Sequence, residues 1–248
     1  MTNEVKKLID YAKSQLGVSE DPLGSNRQKY GAMLDKIPWY LYREGGKEWI
    51  HQVNGHDWCT QFVDASFITV FGIDTAREML NRPKYNNYGA GVSYAYDYFN
   101  SCGRAFRRGE KEPIPGDVIY FRNDRGLSHT GIVIDVTATT VSTMEGNSGE
   151  KNYYVARYEY NKENSRIYGY GSPKYEIAEK YPPVPFKAVN TLKGVSIRDI
   201  PYSDGAIIGT IKQGSEIMVE SMEGSSGDFA KISGYVYLPG GFTWEGET

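Results

Sequence analysis

Apolar positions in the first hundred residues recur at helical spacing, and those after about residue 115 alternate. Val5, Leu8, Ile9, Ala12 and Leu16 share one face over Glu4 to Gln15, which predicts an amphipathic helix stopped by Gly17. A turn-rich stretch, Glu20-Asp21-Pro22-Leu23-Gly24-Ser25-Asn26, leads to a second short helix near Arg27 to Leu34. Phe62, Val63, Ser66, Phe67 and Val70 mark one face of a third helix that runs to about Phe71, with Asp57 as its expected N-cap. Gly91 to Asn100 predicts another. Past Pro113-Ile114-Pro115-Gly116 the period becomes that of strands, at Asp117–Phe121, Thr130–Val136, Thr140–Glu145, Tyr153–Tyr158 and Ile167–Tyr170. Helices first and antiparallel strands afterwards predict an α+β fold.

Tyr181-Pro182-Pro183-Val184-Pro185 breaks the pattern as an extended, semi-rigid spacer. Beyond it lie short apolar runs separated by turns: Val195–Arg198, Ala206–Ile211, Glu216–Glu220, Phe229–Ile232 and Gly234–Leu238. Such spacing predicts a small β-barrel. The expected division is a domain at 1–175, a Pro-rich linker at 176–185 and a second domain at 186–248. Charge changes with it. Residues 1–175 carry 22 basic and 21 acidic side chains and the remainder 6 and 10, so the tail is no electrostatic anchor for polyanions.

Composition narrows the function classes. A net charge of −3 argues against nucleic acid as a partner. No apolar run is long enough to span a membrane, and the polar Met1–Lys7 start lacks the apolar core of a secretory signal. The two cysteines, Cys59 and Cys102, could form at most one bridge, which is not a disulfide-built scaffold, and no Cys/His cluster has structural zinc spacing.

The chemistry centres on Gly55-His56-Asp57-Trp58-Cys59-Thr60-Gln61-Phe62-Val63. A thiol at the start of a helix lies where anions are stabilised, which favours the nucleophilic thiolate. A thiol nucleophile needs a base that can later return the proton. Of the three histidines, His129 opens a predicted strand after the loop Asn123–Ser128, whereas His51 and His56 fall in a loop before Cys59. With the strands at 117–121, 130–136 and 140–145 paired in order, Glu145 approaches His129 across the sheet and orients its ring. Asn147, two residues further on, is an auxiliary polar group. The backbone N–H of Cys59 is the expected oxyanion donor.

These residues resemble the CHAP domain, the cysteine- and histidine-dependent amidohydrolase/peptidase module of bacterial cell-wall hydrolases, over most of 1–175. The resemblance rests on Gly24-Ser25-Asn26 with Tyr30-Gly31, Trp58–Val63, Pro115–Phe121, Ser128–Val133 and Glu145-Gly146-Asn147, in that order and spacing. It implies a papain-like fold with Cys59 as nucleophile, His129 as base, Glu145 as orienting acid, Asn147 as auxiliary group and Trp58 beside the substrate. Some members bind calcium before the cysteine. Here Glu44, Glu48 and Asp57 supply too few oxygens in alternation, so no metal and no cofactor are expected.

The tail resembles a bacterial SH3-like cell-wall-binding domain through Val195–Tyr202, Ile208–Gly214, Ile217–Val219 and Gly234–Leu238, with Tyr202, Tyr235, Tyr237 and Trp244 either stacking on sugar or peptide or filling the small barrel. Together the resemblances imply a monomeric peptidoglycan hydrolase of phage endolysin type. It would be made in the host cytoplasm without a signal peptide, act at the cell wall, and cleave either the N-acetylmuramoyl–L-alanine amide or a stem or cross-bridge peptide bond. The alternatives are an intracellular papain-like thiol amidase or transferase, and a non-catalytic wall-binding protein.

Overall fold

A computed structural model describes residues 1–37, 40, 52–180, 186–198, 206–219, 221–223, 229–231, 235–237 and 242–244. The chain forms two compact units: Met1–Val70 with Met79–Tyr175, and Phe71–Glu78 with Glu176–Thr248. Among the described residues the helices are α1 (Asn3–Ser14), α2 (Lys29–Leu34), α3 (Cys59–Phe71), α4 (Ile73–Met79) and α5 (Val92–Ser101).

Helix α1 is capped by the Thr2 side chain, which accepts from the Val5 N–H, and it buries Val5, Leu8, Ile9 and Ala12. Leu16 was expected on that face but is 60% exposed, because the helix closes at Gln15 before reaching it. Helix α2 starts two residues later than its pattern suggested. The Gln28 side chain caps it, accepting from the Tyr30 and Gly31 N–H groups.

Helix α3 departs most from its expected one-sided pattern. Every residue from Cys59 to Ile68 is buried. Its polar side chains therefore need partners inside the unit. Asp64 pairs with Arg82 at 2.7 Å, both fully buried, Ser66 donates to the Phe62 carbonyl, and Thr60 donates to the Ala90 carbonyl.

The sheet of the first unit has the order β1-β6-β2-β3-β4-β5, antiparallel throughout, with β1 Ala105–Arg107, β2 Val118–Asn123, β3 Gly126–Val136, β4 Thr140–Ser148, β5 Tyr154–Asn161 and β6 Ile167–Gly171. Alternation along β2 sends Ile119 and Phe121 into a core cluster with Phe106, Val133, Val141, Ile167 and Tyr170. Tyr120, on the opposite face, meets the edge of Tyr96 from α5. The segment Asn123–Ser128, expected as a loop, is a hairpin in which Asn123 faces Gly126, so His129 sits inside β3 rather than at its start.

Among the described residues the second unit holds two antiparallel sheets. One orders β10-β7-β14 (Glu216–Val219, Phe186–Asn190, Phe242–Trp244) and the other β11-β12-β13-β8-β9 (Ser221–Glu223, Phe229–Lys231, Tyr235–Tyr237, Gly194–Arg198, Ile207–Lys212). Strands β7, β11 and β14 were not anticipated. Val195, Ile211 and Val219 are buried, and buried Asn190 donates to the Ile211 carbonyl and accepts from the Leu192 N–H.

Candidate active site

Two strand irregularities place the polar side chains. On β3, Phe121 faces His129 while Arg122 faces Leu127, so Ser128 is an extra residue at a bulge and His129 is set just past it. On β4, Glu145 faces Ala156 while Ser148 faces Tyr154, leaving Gly146 and Asn147 opposite Val155 alone. The backbone of Val155 turns to the N-terminal segment instead, donating to Val18 and accepting from Gly17. Asn147 takes a left-handed conformation at φ 51° in this bulge.

Glycines allow the close approaches between these parts. His129, Gly131 and Val133 share a face of β3, and the Glu145 side chain crosses Gly131 to reach the imidazole. A Cβ at Gly131 would lie 2.6 Å from Glu145 Cγ. On β4, a Cβ at Gly146 would collide with Phe62 Cβ and lie 2.8 Å from Trp58 Cζ3, so the start of α3 packs directly on the strand that carries Glu145.

The result is one chain of hydrogen bonds. Glu145 Oε2 lies 2.8 Å from His129 Nε2, and the ring also hydrogen-bonds Cys59. Since Nε2 is engaged by the carboxylate, Nδ1 is the ring nitrogen left for the thiol. Burial alone would pull the imidazole down. The hydrogen bonds and charges of Cys59 and Glu145 outweigh that and hold His129 up at about 10, so the imidazolium form is favoured at neutral pH. Cys59 is nearly buried at 3% exposure. It is the first residue of α3, so its N–H has no acceptor within the helix and is free to serve as an oxyanion donor.

Glu145 is itself held on every side. Its Oε1 accepts from the Thr143 hydroxyl at 2.6 Å, and the Tyr160 phenol also hydrogen-bonds to the carboxyl. Burial and the Glu145 charge push that phenol up, which keeps it a donor. Phe121 lies against both rings, with its centroid 5.9 Å from His129 and 4.9 Å from Tyr160. Thr143 and Tyr160 were missed from sequence. Strand alternation was the available signal for Thr143, which precedes Glu145 by two residues and so shares its face.

The loop before Cys59 is held by Gln61. Its Nε2 lies within hydrogen-bond distance of the carbonyls of Val53, His56 and Asp57, and its Oε1 accepts from Gln28. Phe62 N–H donates to the Trp58 carbonyl, which makes Trp58 the cap position and leaves Asp57, expected there, one residue outside. Asp57 is exposed, and its carboxylate accepts from Asn147 Nδ2 at 3.3 Å.

Trp58 was expected beside the substrate but is fully buried. Its Nε1–H donates to Glu20, and its ring stacks on Tyr30, so it fixes the entry to α3 and offers no face to a ligand. His56 is exposed, and His51 lies outside the described residues. Tyr202 also lies outside them. For Tyr235, Tyr237 and Trp244 the description reaches only the backbone, on β13 and β14. Cys59 and Cys102 are both free thiols. Among the described residues no group of three or more His, Cys, Asp or Glu could hold a metal ion; Glu44 and Glu48 are outside that set. No helix there is long and apolar enough to cross a membrane.

A thiol, an imidazole and a carboxylate joined in this order can attack an acyl carbon and protonate the departing group. Residues 51–147, which contain Cys59, His129, Glu145 and Asn147, match the family model of the CHAP domain. No curated protein matches the chain. Among solved structures the chain is similar to the crystal structure of Ly7917, at 15% identity and a TM-score of 0.42, covering 94% of this chain and 92% of that one. It is likewise similar to the crystal structure of Ly7917 with the hydrolyzing product of MDP, at 13% identity and a TM-score of 0.42, covering 97% and 92%.

Proposed function

We propose that the protein is a peptidoglycan hydrolase that cleaves an amide bond of the bacterial cell wall with Cys59 as nucleophile. The observation that carries this is the hydrogen-bonded Cys59–His129–Glu145 chain inside the span that matches the CHAP domain. The Cys59 thiolate adds to the scissile carbonyl carbon, and the oxyanion is met by the Cys59 N–H. His129 passes its Nδ1 proton to the leaving amine as the C–N bond breaks, which leaves an acyl thioester on Cys59. Water, deprotonated by the now neutral imidazole, attacks the thioester and releases the carboxylic acid with the thiolate restored. Glu145 keeps the ring oriented and supports its positive charge, while Thr143 and Tyr160 hold Glu145. Asn147 acts beside Asp57 at the rim.

Short antiparallel strands over residues 186–244 support reading the tail as an SH3-like wall-binding domain joined by the 176–185 linker. With it the protein takes the endolysin arrangement, acting as a monomer on peptidoglycan.

The test is mass spectrometry of purified peptidoglycan after digestion by the wild type and by Cys59→Ala. New amine and carboxyl ends from the wild type alone are expected, and their identity names the bond. Equal fragments from the Cys59→Ala protein would remove the thiol mechanism. No fragments from walls of several bacterial types would remove the substrate.

A further inference from the structure

At Asp57 and Gln61, which flank Cys59 in sequence, lies a cleft of about 450 Å³ that the catalytic chain does not line. Asp57 and Gln61, the residues two before and two after Cys59, form one wall, and Asn87, Tyr88, Gly91 and Tyr94 form another. The walls are tied together where they meet, since Thr60 on α3 donates to the Ala90 carbonyl. The cleft therefore borders the first turn of α3, the helix whose first residue is Cys59.

Its aromatic side is unusually bare. Tyr88 is 45% and Tyr94 51% exposed, and their rings lie 5.1 Å apart with planes tilted by 31°. Large exposed aromatic faces are costly unless something covers them. The loop that carries Tyr88 is fixed to α5, which carries Tyr94. Tyr88 N–H donates to the Tyr98 hydroxyl, and Gly91 N–H donates to the Tyr88 carbonyl at the start of α5. A Cβ at Gly91 would lie 3.1 Å from the Tyr94 ring, so glycine there leaves the ring room. The platform is thus preformed rather than assembled on binding.

Polar groups around it are mostly neutral. None of the described residues lining the cleft is a lysine or arginine, and the exposed carboxylate of Asp57 stands at its edge. Buried Asn87 uses its Oδ1 to accept from the Gly89 N–H, and its Nδ2 has no acceptor among the described residues. Carboxylate-bearing stem peptides would meet Asp57, and among the described lining residues His56 is the single side chain able to carry a positive charge. A pyranose suits the lining better, with its apolar C–H face on a tyrosine and an uncharged acetamido group for amide partners.

We infer that this cleft is a subsite for an N-acetylated hexosamine of the glycan strand, with Tyr88 and Tyr94 as its stacking platform. The inference rests on the peptidoglycan reading above and deepens it. A sugar seated next to Cys59 places the lactyl–alanine amide, rather than a bond further along the stem, at the thiol.

Binding and cleavage separate the two readings. N-acetylchitotetraose, a sugar probe with no peptide amide, is titrated by calorimetry into the Cys59→Ala protein, alone and combined with Tyr88→Ala, Tyr94→Ala or Tyr94→Phe. Both tyrosines are surface residues, and circular dichroism checks that each variant is folded. Saturable binding is expected, weakened about tenfold or more by either alanine and kept by Tyr94→Phe. No binding, or binding that neither alanine changes, overturns the subsite. So does binding of a glycan-free stem tetrapeptide that the same alanines abolish. Wild-type wall digestion reports separately. If it releases no fragments the hydrolase reading falls, whatever the sugar does.

Discussion

Replacing Glu145 with glutamine keeps the shape of the relay and removes its charge. A hydrogen bond to a charged group contributes about 1.5–3 kcal/mol, against about 0.5–1.5 for a neutral one. The difference, roughly 1–2 kcal/mol, corresponds to about one pH unit of imidazole titration at about 1.4 kcal/mol per unit. His129 is raised from 6.5 to about 10, so the imidazolium and the stability it contributes are complete below its ordinary value and lost as pH rises through about 10. In Glu145→Gln that loss moves about one unit lower, to near pH 9. Near pH 7.5, kcat/KM falls by about 5- to 30-fold, because the ring is less well supported as it receives and returns the proton. Two assays check this. Amine release from soluble muropeptides across pH 6–11 gives the alkaline limb of turnover, and iodoacetamide alkylation of Cys59 over the same range follows the ion pair without substrate. An alkaline limb at the same pH in both proteins would show that Glu145 does not support the charge on His129, whatever the 2.8 Å contact suggests.

Thr143→Val removes the donor to Glu145 Oε1 inside a buried site. It is expected to cost about 1–3 kcal/mol of stability by urea unfolding and to lower kcat more than it raises KM, with Thr143→Ser restoring both. Arg82→Leu leaves Asp64 charged and unpaired in the core, so a loss of about 3–5 kcal/mol is expected, and an unchanged urea midpoint would contradict the buried pair. Burial raises Asp117 to about 6, so its contribution to stability is present below its ordinary 3.8 and lost as pH rises through about 6. Asp117→Asn, which can still pair with the Ile114 N–H and the Ser172 hydroxyl, should flatten the fall in Tm between pH 4 and pH 7 that the wild type shows. Gly146→Ala pushes a methyl group into Phe62 and Trp58, and about 1–3 kcal/mol of destabilisation with reduced turnover is expected.

Local pattern carried the choice of the chemical residues, and non-local packing decided how they meet. Alternation along residues 130–136 and 140–145 was enough to bring Glu145 toward His129, because strands paired in order offer few other registers. The bulges at Ser128 and at Gly146-Asn147 were not legible. An extra residue in a ladder leaves no mark in composition, and it shows only once the partner strand is known. Helix α3 misled for a related reason. Gln61 and Asp64 look like a solvent face until Gln28 and Arg82, distant in sequence, close over them. Trp58 was misplaced because an aromatic beside a nucleophile suggests a substrate contact, while its partner Glu20 lies 38 residues away. Tyr88 and Tyr94 went unnoticed, since a loop tyrosine and a helix tyrosine acquire meaning only when both are seen to line one cleft with Asp57 and Gln61. Gly131 and Gly146 show how much rests on such encounters. Each is unremarkable within its strand, yet a single methyl at either would force Glu145 away from His129 or α3 off β4. The precision of the relay is therefore held by what these two positions lack, a constraint that becomes visible only when the sheet and the helix are placed together.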